Sequence, residues 1–115
     1  MMAATANLRI DQGASFSSDI TVTNTDGTAF DLTGHTASAK MALGYSSTRT
    51  RTLFTTSIAN DATTGVITLS LTADQTNNLE APARYVYDVE ITKTSDSTIT
   101  RVIEGIITVS PSVTT

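Results

Sequence analysis

The stretch that decides the fold is Arg84-Tyr85-Val86-Tyr87-Asp88-Val89-Glu90-Ile91-Thr92. Apolar and polar side chains alternate along it, which predicts a strand with one buried face and one solvated face. The segment Thr94–Ser97 is a polar turn, and Ile99–Val109 after it is rich in β-branched residues that favour strands. The sequence therefore predicts a long central hairpin, against which the rest of the chain packs as shorter strands.

Short strand patterns recur upstream at spacings of roughly ten residues, separated by turn sequences such as Asn24–Gly27. One helical turn is expected after Thr72, a suitable N-cap with Gln75 three residues later. The pattern is typical of an all-β, antiparallel sandwich of Ig-like or jelly-roll kind with about seven or eight strands. We expect a flexible N-terminal arm at residues 1–7, a single sandwich domain at 8–110 and a C-terminal tail at 111–115.

The inward phase of the predicted strands defines a hydrophobic core. Pro111 cannot donate to a strand ladder and is expected to end the last strand. Within the strands, alternation places the following side chains together: Phe16, Ile20, Val22, Phe54, Ile67, Leu69, Leu71, Tyr85, Tyr87, Val89, Ile91, Ile103 and Ile107.

Composition narrows the classes of function. The 115 residues include no cysteine, which excludes disulfides, zinc ribbons and thiol catalysis. The net charge of −4 argues against nucleic acid and anionic membrane as partners, because both attract a basic face. No segment approaches the roughly 18 apolar residues of a membrane span, and Met1–Asn7 lacks the pattern of a secretory signal. We therefore expect a protein that acts without crossing a membrane.

No residue pattern predicts catalysis, a metal site or a bound cofactor. The only histidine, His35, has no nucleophile-elbow pattern near it and is interpreted as a loop residue rather than a base. Asp88 and Glu90 point the same way from one strand, about 7 Å apart by strand rise, as a glycosidase pair would. We favour a solvated sheet face for both, since the sequence indicates no cleft.

Aspartates recur in the predicted loops, at Asp26, Asp61 and Asp96. Carboxylates in loops raise the question of calcium, but no D-x-D-x-D-G pattern is present. Aspartate also forms turns by accepting from backbone N–H groups, and we favour that interpretation for all three residues.

The last strand is apolar in both phases, since Val102 and Ile106 alternate out of step with its other apolar residues. Either Gly105 marks a bulge that shifts the register, or Val102 and Ile106 form a second apolar face that meets another protein chain. Tyr45, Arg49 and Arg51 lie in a polar segment and complete the candidate interface.

Five stretches in this order resemble small virion structural proteins of tailed phages, particularly marine and cyanobacterial phages. More loosely they resemble the N-terminal sandwich domain of phage baseplate upper proteins. The resemblance covers Ile10 to Thr115 and lies in Ile10–Phe16, Phe30–Gly34, Gly65–Thr72, Ala83–Val89 and Arg101–Pro111. Baseplate upper proteins continue into long additional regions, so the match favours a free-standing accessory subunit.

The resemblance implies a sandwich that binds other virion proteins and has no catalytic residues. We expect a capsid cement or decoration protein, made in the host cytoplasm and located on the exterior of the particle. It would be a homo-oligomer or present in many copies, with capsid, tail or baseplate subunits as partners. The alternatives are a small tail, neck or baseplate subunit, or a surface glycan-binding module, for which Tyr45 is the one candidate aromatic residue in the loops.

Overall fold

Two β-sheets pack face to face in the computed structural model, which describes residues 4–44 and 50–113. This confirms the predicted all-β sandwich. The large sheet contains β1 (Ala4–Thr5), β2 (Leu8–Asp11), β4 (His35–Ala42), β5 (Thr52–Leu53), β8 (Ala83–Lys93) and β9 (Ile99–Ser110). The small sheet contains β3 (Phe16–Thr21), β6 (Thr55–Ile58) and β7 (Val66–Leu71). One short helix, α1 (Ala73–Asn77), follows β7.

The hairpin of β8 and β9 forms the middle of the large sheet, as the alternation predicts. The strand β4 pairs with β8 on one side, and β1 and β2 pair with β9 on the other. The inward side chains of β8, from Tyr85 to Ile91, are all buried. Because both hairpin strands have neighbours, the longest strands of the protein are interior strands and not edges.

The register of the hairpin shifts once, and the shift explains why β9 is apolar in both phases. Val89 pairs with Ile103 and Glu90 pairs with Arg101, so Val102 is the extra residue of a bulge. Its side chain turns inward and is 2% exposed, next to the equally buried Ile103. Of the two alternatives that the sequence left open, the bulge is present, but it lies at Val102 and not at Gly105.

Gly105 has a different role, because the start of the chain crosses over it. A Cβ atom at Gly105 would lie 2.2 Å from the Ala6 carbonyl oxygen. The hydroxyl of Tyr87, the cross-strand partner of Gly105, donates to that same carbonyl. Burial raises the pKa of Tyr87 to about 12, so the hydroxyl remains protonated and able to donate. Because Gly105 has no side chain, the Ala6 carbonyl can approach β9 closely enough to accept from the Tyr87 hydroxyl.

The structure differs from the predicted arm at residues 4–7. Ala4 and Thr5 pair with Ile103 and Glu104, and β2 continues in the same direction along β9. Both strands run parallel to β9, in contrast to the antiparallel pairing expected throughout. Between them the Asn7 side chain accepts a hydrogen bond from the Ile106 backbone N–H at 3.1 Å. The described part of the arm therefore belongs to the sheet.

One strand passes from the large sheet to the small one at Phe54. Thr52 and Leu53 pair with β4, the Phe54 N–H donates to the Ala39 carbonyl at 3.0 Å, and β6 then pairs with β7. The Thr56 hydroxyl donates to the Ala37 carbonyl at 2.9 Å. The small side chains of Ala37 and Ala39 allow the crossing strand to approach β4.

A polar corner around α1 holds the end of the sandwich at which β7 ends. Thr72 and Gln75 form the predicted capping box, with hydrogen bonds of 2.8 and 3.2 Å. Thr76 is fully buried, and its hydroxyl accepts from the Gly13 N–H and donates to the Ala14 carbonyl. Gln12 bonds both to the Leu79 carbonyl and to the Ser112 N–H. This corner joins the β2–β3 turn to the helix and to the residues after β9.

The predicted core is confirmed with one exception, since Phe16 is half-buried and packs at the edge. The strand β9 ends at Ser110, just before Pro111, as predicted. Buried apolar residues outside the predicted set are Ile10, Leu32, Ala39, Met41, Ala42, Leu79, Val102 and Val109.

Replacing a core leucine tests this packing. Leu69 is fully buried in β7, so Leu69→Ala should lower the free energy of unfolding by about 2–5 kcal/mol through the cavity that it leaves. Leu53 is 56% exposed, and Leu53→Ala should change the free energy of unfolding by less than about 0.5 kcal/mol. Urea unfolding of both variants makes the comparison, and equal effects would contradict the packing described.

A second test concerns Gly105. Gly105→Ala should lower the free energy of unfolding by about 1–3 kcal/mol, because the new methyl group displaces Ala6. In a chain that lacks residues 1–7 the same substitution meets no backbone there, and its cost should vanish. Urea unfolding of the four proteins gives the coupling. An equal cost in both backgrounds would refute the contact.

Candidate functional site

The structure separates the residues of the predicted interface. Val102 is a core residue, so its assignment to an exposed second apolar face is wrong, because the bulge turns its side chain inward. Ile106 points away from the core and is 42% exposed. Tyr45 and Arg49 lie outside the described residues. Arg51 is exposed, and its guanidinium lies 3.5 Å from the Gly44 carbonyl oxygen.

Ile106 belongs to the surface of the large sheet that faces away from the small sheet, here called the outer face. Its named members are Lys40, Val86, Asp88, Glu90, Arg101, Glu104 and Ile106. Val86 lies directly opposite Ile106 on the neighbouring strand and is half-buried. The pair gives the outer face an apolar spot beside a set of charged residues.

The charged residues of the outer face form a compensated cluster. Asp88 and Glu104 are direct cross-strand partners, an arrangement that like charges disfavour. The Arg101 guanidinium lies 3.4 Å from the Asp88 carboxylate and 3.9 Å from that of Glu104, which offsets this repulsion. All three side chains are between 36% and 51% exposed, so their ion pairs add little to stability.

Arg51 is brought to the same face. With Lys40, Val86 and Asp88 it lines a shallow depression of about 170 Å³. Val86 connects this depression to Ile106. The structure thus brings two of the predicted interface residues, Arg51 and Ile106, to one end of the outer face.

A groove opens at the opposite end of the hairpin, where β8 turns into β9. We call it the hairpin groove. Its volume is about 370 Å³, and its lining residues are Phe30, His35, Ile91, Lys93, Asp96, Thr98 and Thr100. The polypeptide around it is tightly held, since Lys93 N–H donates to the Thr98 carbonyl and Thr94 N–H to the Gly34 carbonyl.

His35 is the first residue of β4 rather than the loop residue that the sequence suggested. Its ring meets Phe30 edge-on, with centroids 5.5 Å apart. Nδ1 lies 3.1 Å from the Thr33 carbonyl oxygen, and a carbonyl can only accept. Neutral His35 therefore carries its proton on Nδ1, and Nε2 is left as a hydrogen-bond acceptor.

The loop aspartates are turn formers, as the sequence predicts. In Asp26, Asp31, Asp61 and Asp96 one carboxylate oxygen accepts from the backbone N–H two residues later, always that of a threonine. The threonine hydroxyl and N–H lower the pKa of Asp26, Asp31 and Asp96, with further lowering from His35 at Asp31 and from Lys93 at Asp96. Hydrogen bonding to the charged form is the cause.

Metal binding and membrane-spanning helices were considered for residues 4–44 and 50–113, which the structure describes. Within these ranges no three His, Asp or Glu side chains group closely enough to hold a metal ion. No helix there is long and apolar enough to cross a membrane. Asp88 and Glu90 both lie on the outer face, and the Asp88 carboxylate is engaged by Arg101.

No protein-family model matches the chain, and no curated protein matches it significantly.

Two surface features were not predicted from the sequence. Arg101 acquires its place between two carboxylates only through the bulge, which sequence cannot position. The hairpin groove joins side chains from Phe30 to Thr100, which are far apart in the chain. The aspartate turns, by contrast, have a local signal in the sequence. It is the repeated Asp-x-Thr pattern at Asp26, Asp31, Asp61 and Asp96.

The Asp96 turn predicts a measurable titration. Since its pKa is lowered from 3.8, the turn stabilises the folded protein above that pH, and the contribution is lost as pH falls through the folded-state pKa. Thr98→Val should raise the pKa of Asp96 towards 3.8, while Thr28→Val should raise only that of Asp26. Carboxyl NMR titrations measure both, and an unchanged pKa of Asp96 in Thr98→Val would contradict the assignment.

Proposed function

We propose that this chain is a non-catalytic structural subunit of a tailed-phage particle, and specifically a capsid cement or decoration protein. Two things support the proposal. The first is the ordered set of stretches, from Ile10–Phe16 to Arg101–Pro111, that resembles small virion proteins of such phages. The second, which carries the proposal on structural grounds, is the chemistry of the outer face around Ile106.

The outer face combines groups that protein interfaces favour. Interface centres pair apolar side chains with arginine inside a polar rim. Ile106 and Val86 supply the apolar contact, and Arg101 is already oriented by Asp88 and Glu104 before any partner arrives. A side chain held in place loses less conformational entropy on binding than a free one.

These features add little to the stability of the fold. An exposed Ile106 contributes little to the core, and exposed ion pairs contribute about 0–1 kcal/mol each. A contact with a neighbouring subunit gives all of them a use. In a symmetric shell the same contact repeats over many copies, so that an interface of about 1–2 kcal/mol per site suffices through avidity.

The net charge fits a position on the outside of the capsid. At −4, the chain would be repelled by packaged DNA and would gain nothing from contact with it. The proposed partners are therefore other virion proteins, with the chain made in the host cytoplasm and added to the exterior of the particle.

Ile106→Lys tests the outer face without disturbing the core. The new ammonium group would lie beside Asp88 and Glu104, so the fold should remain as stable as the parent. Particle-bound protein, measured after gradient purification, should fall by about tenfold because the apolar contact is lost at every site. Val113→Lys makes the same charge change at a fully exposed residue off the sheet, and it should stay at parental occupancy.

Two results would overturn parts of this proposal separately. Full occupancy of folded Ile106→Lys would refute the outer face as the contact. Heads and tails separated before immunoblotting locate the subunit. Signal confined to tails would replace the capsid role by one in the tail, neck or baseplate, and absence from both would refute the virion function.

A further inference from the structure

We infer that the hairpin groove is a binding site for a neutral, hexose-sized saccharide unit. The groove lies at the end of the sandwich away from Ile106, and the inference depends on the groove alone and not on the proposed role in a virion. Its volume of about 370 Å³ falls within the range of about 300–1,000 Å³ that is usual for small-ligand pockets.

The walls of the groove match the two kinds of surface on a sugar ring. The half-buried ring of Phe30 gives an apolar wall for the C–H face of a pyranose, and the buried Ile91 closes the bottom of the groove. Around them stand Thr98, Thr100, Lys93, Asp96 and His35, which are polar. An apolar surface with a few convergent polar groups is the usual form of a small-molecule site.

The polar groups offer both donors and acceptors, as sugar hydroxyls require. The Asp96 carboxylate accepts from the Thr98 N–H at 3.0 Å and from the Thr98 hydroxyl, and its two oxygens have lone pairs for a further donor. The Nε2 atom of neutral His35 is a second acceptor, since Nδ1 donates to Thr33. The Lys93 ammonium makes no ion pair within 4 Å in the described part of the chain and can donate.

The charge balance selects a neutral ligand. Lys93 and Asp96 are the charged residues of the lining, and their charges cancel. An anion or a cation would meet one favourable and one unfavourable group. A hydroxyl donates to the carboxylate and accepts from the ammonium, so it satisfies both.

The backbone around the groove disfavours an extended peptide. Peptide segments add to sheets through unpaired strand edges. Here His35 pairs with Lys93 and Thr92 pairs with Ile99, so the strands that border the groove are already paired with each other. Recognition must therefore come from side chains, which suits a small polyol better than a strand.

The test is a titration of the ¹⁵N-labelled full chain with D-glucose, D-galactose, D-mannose and N-acetyl-D-glucosamine, followed by amide chemical shifts. At least one sugar should shift amides of residues 30–35 and 93–100 in a saturable way, with a dissociation constant of order 1 mM for so open a site. Sodium acetate at the same concentration should leave them unmoved. A response to acetate alone, or to none of the sugars, would overturn the inference.

A matched pair of variants tests the role of the carboxylate. Asp96→Asn keeps the turn-forming oxygen but replaces the second acceptor by a donor, and it should weaken sugar binding by about fivefold or more. Asp26→Asn makes the same change in the same kind of turn outside the groove, and its affinity should equal that of the parent. Equal affinities in all three proteins would remove Asp96 from the site and contradict the assignment. Particle occupancy of Asp96→Asn should stay at the parental level, so this inference and the virion function can fail independently.

Discussion

The pairing of β8 with β9 is the constraint on which the rest of the structure depends. These strands bury one face against the small sheet and have a neighbour along each edge. The bulge at Val102 lies within this pairing and changes the facing of every residue before it in β9. Arg101 reaches its two carboxylates, and Ile99 turns to solvent, as consequences of that single inserted residue.

Local patterns in the sequence predict the elements of this fold well. Alternation in residues 84–92 identifies the buried face of β8, and the same reasoning places most of the core in β3, β7 and β9. The capping box at Thr72 and the aspartate turns are also local, because their partners lie two or three residues away. Interactions between residues that are close in sequence are therefore the ones that could be predicted from the sequence.

The parts that could not be predicted depend on partners far away in the chain. Gly105 suggested a bulge. The structure instead requires glycine there because the Ala6 backbone crosses this position and leaves no space for a side chain. The strand β2 lies parallel to β9, with Leu8 opposite Ile107, and nothing local in the sequence indicates this pairing. The outer face and the hairpin groove could not be predicted for the same reason, since each is formed by strands that the sheet topology places side by side.

The parallel pairing of β1 and β2 with β9 has a consequence for how the protein is made. Residues 4–11 are synthesised before their backbone partners, residues 103–110, which lie 99 positions further along the chain. Closing a loop of that length is entropically costly, and contacts between distant residues slow folding. During translation β1 and β2 leave the ribosome before β9, the strand with which they pair. Ile10, a fully buried residue in the finished domain, lacks its partner Val109 until β9 has been synthesised, so the large sheet is completed only after that point.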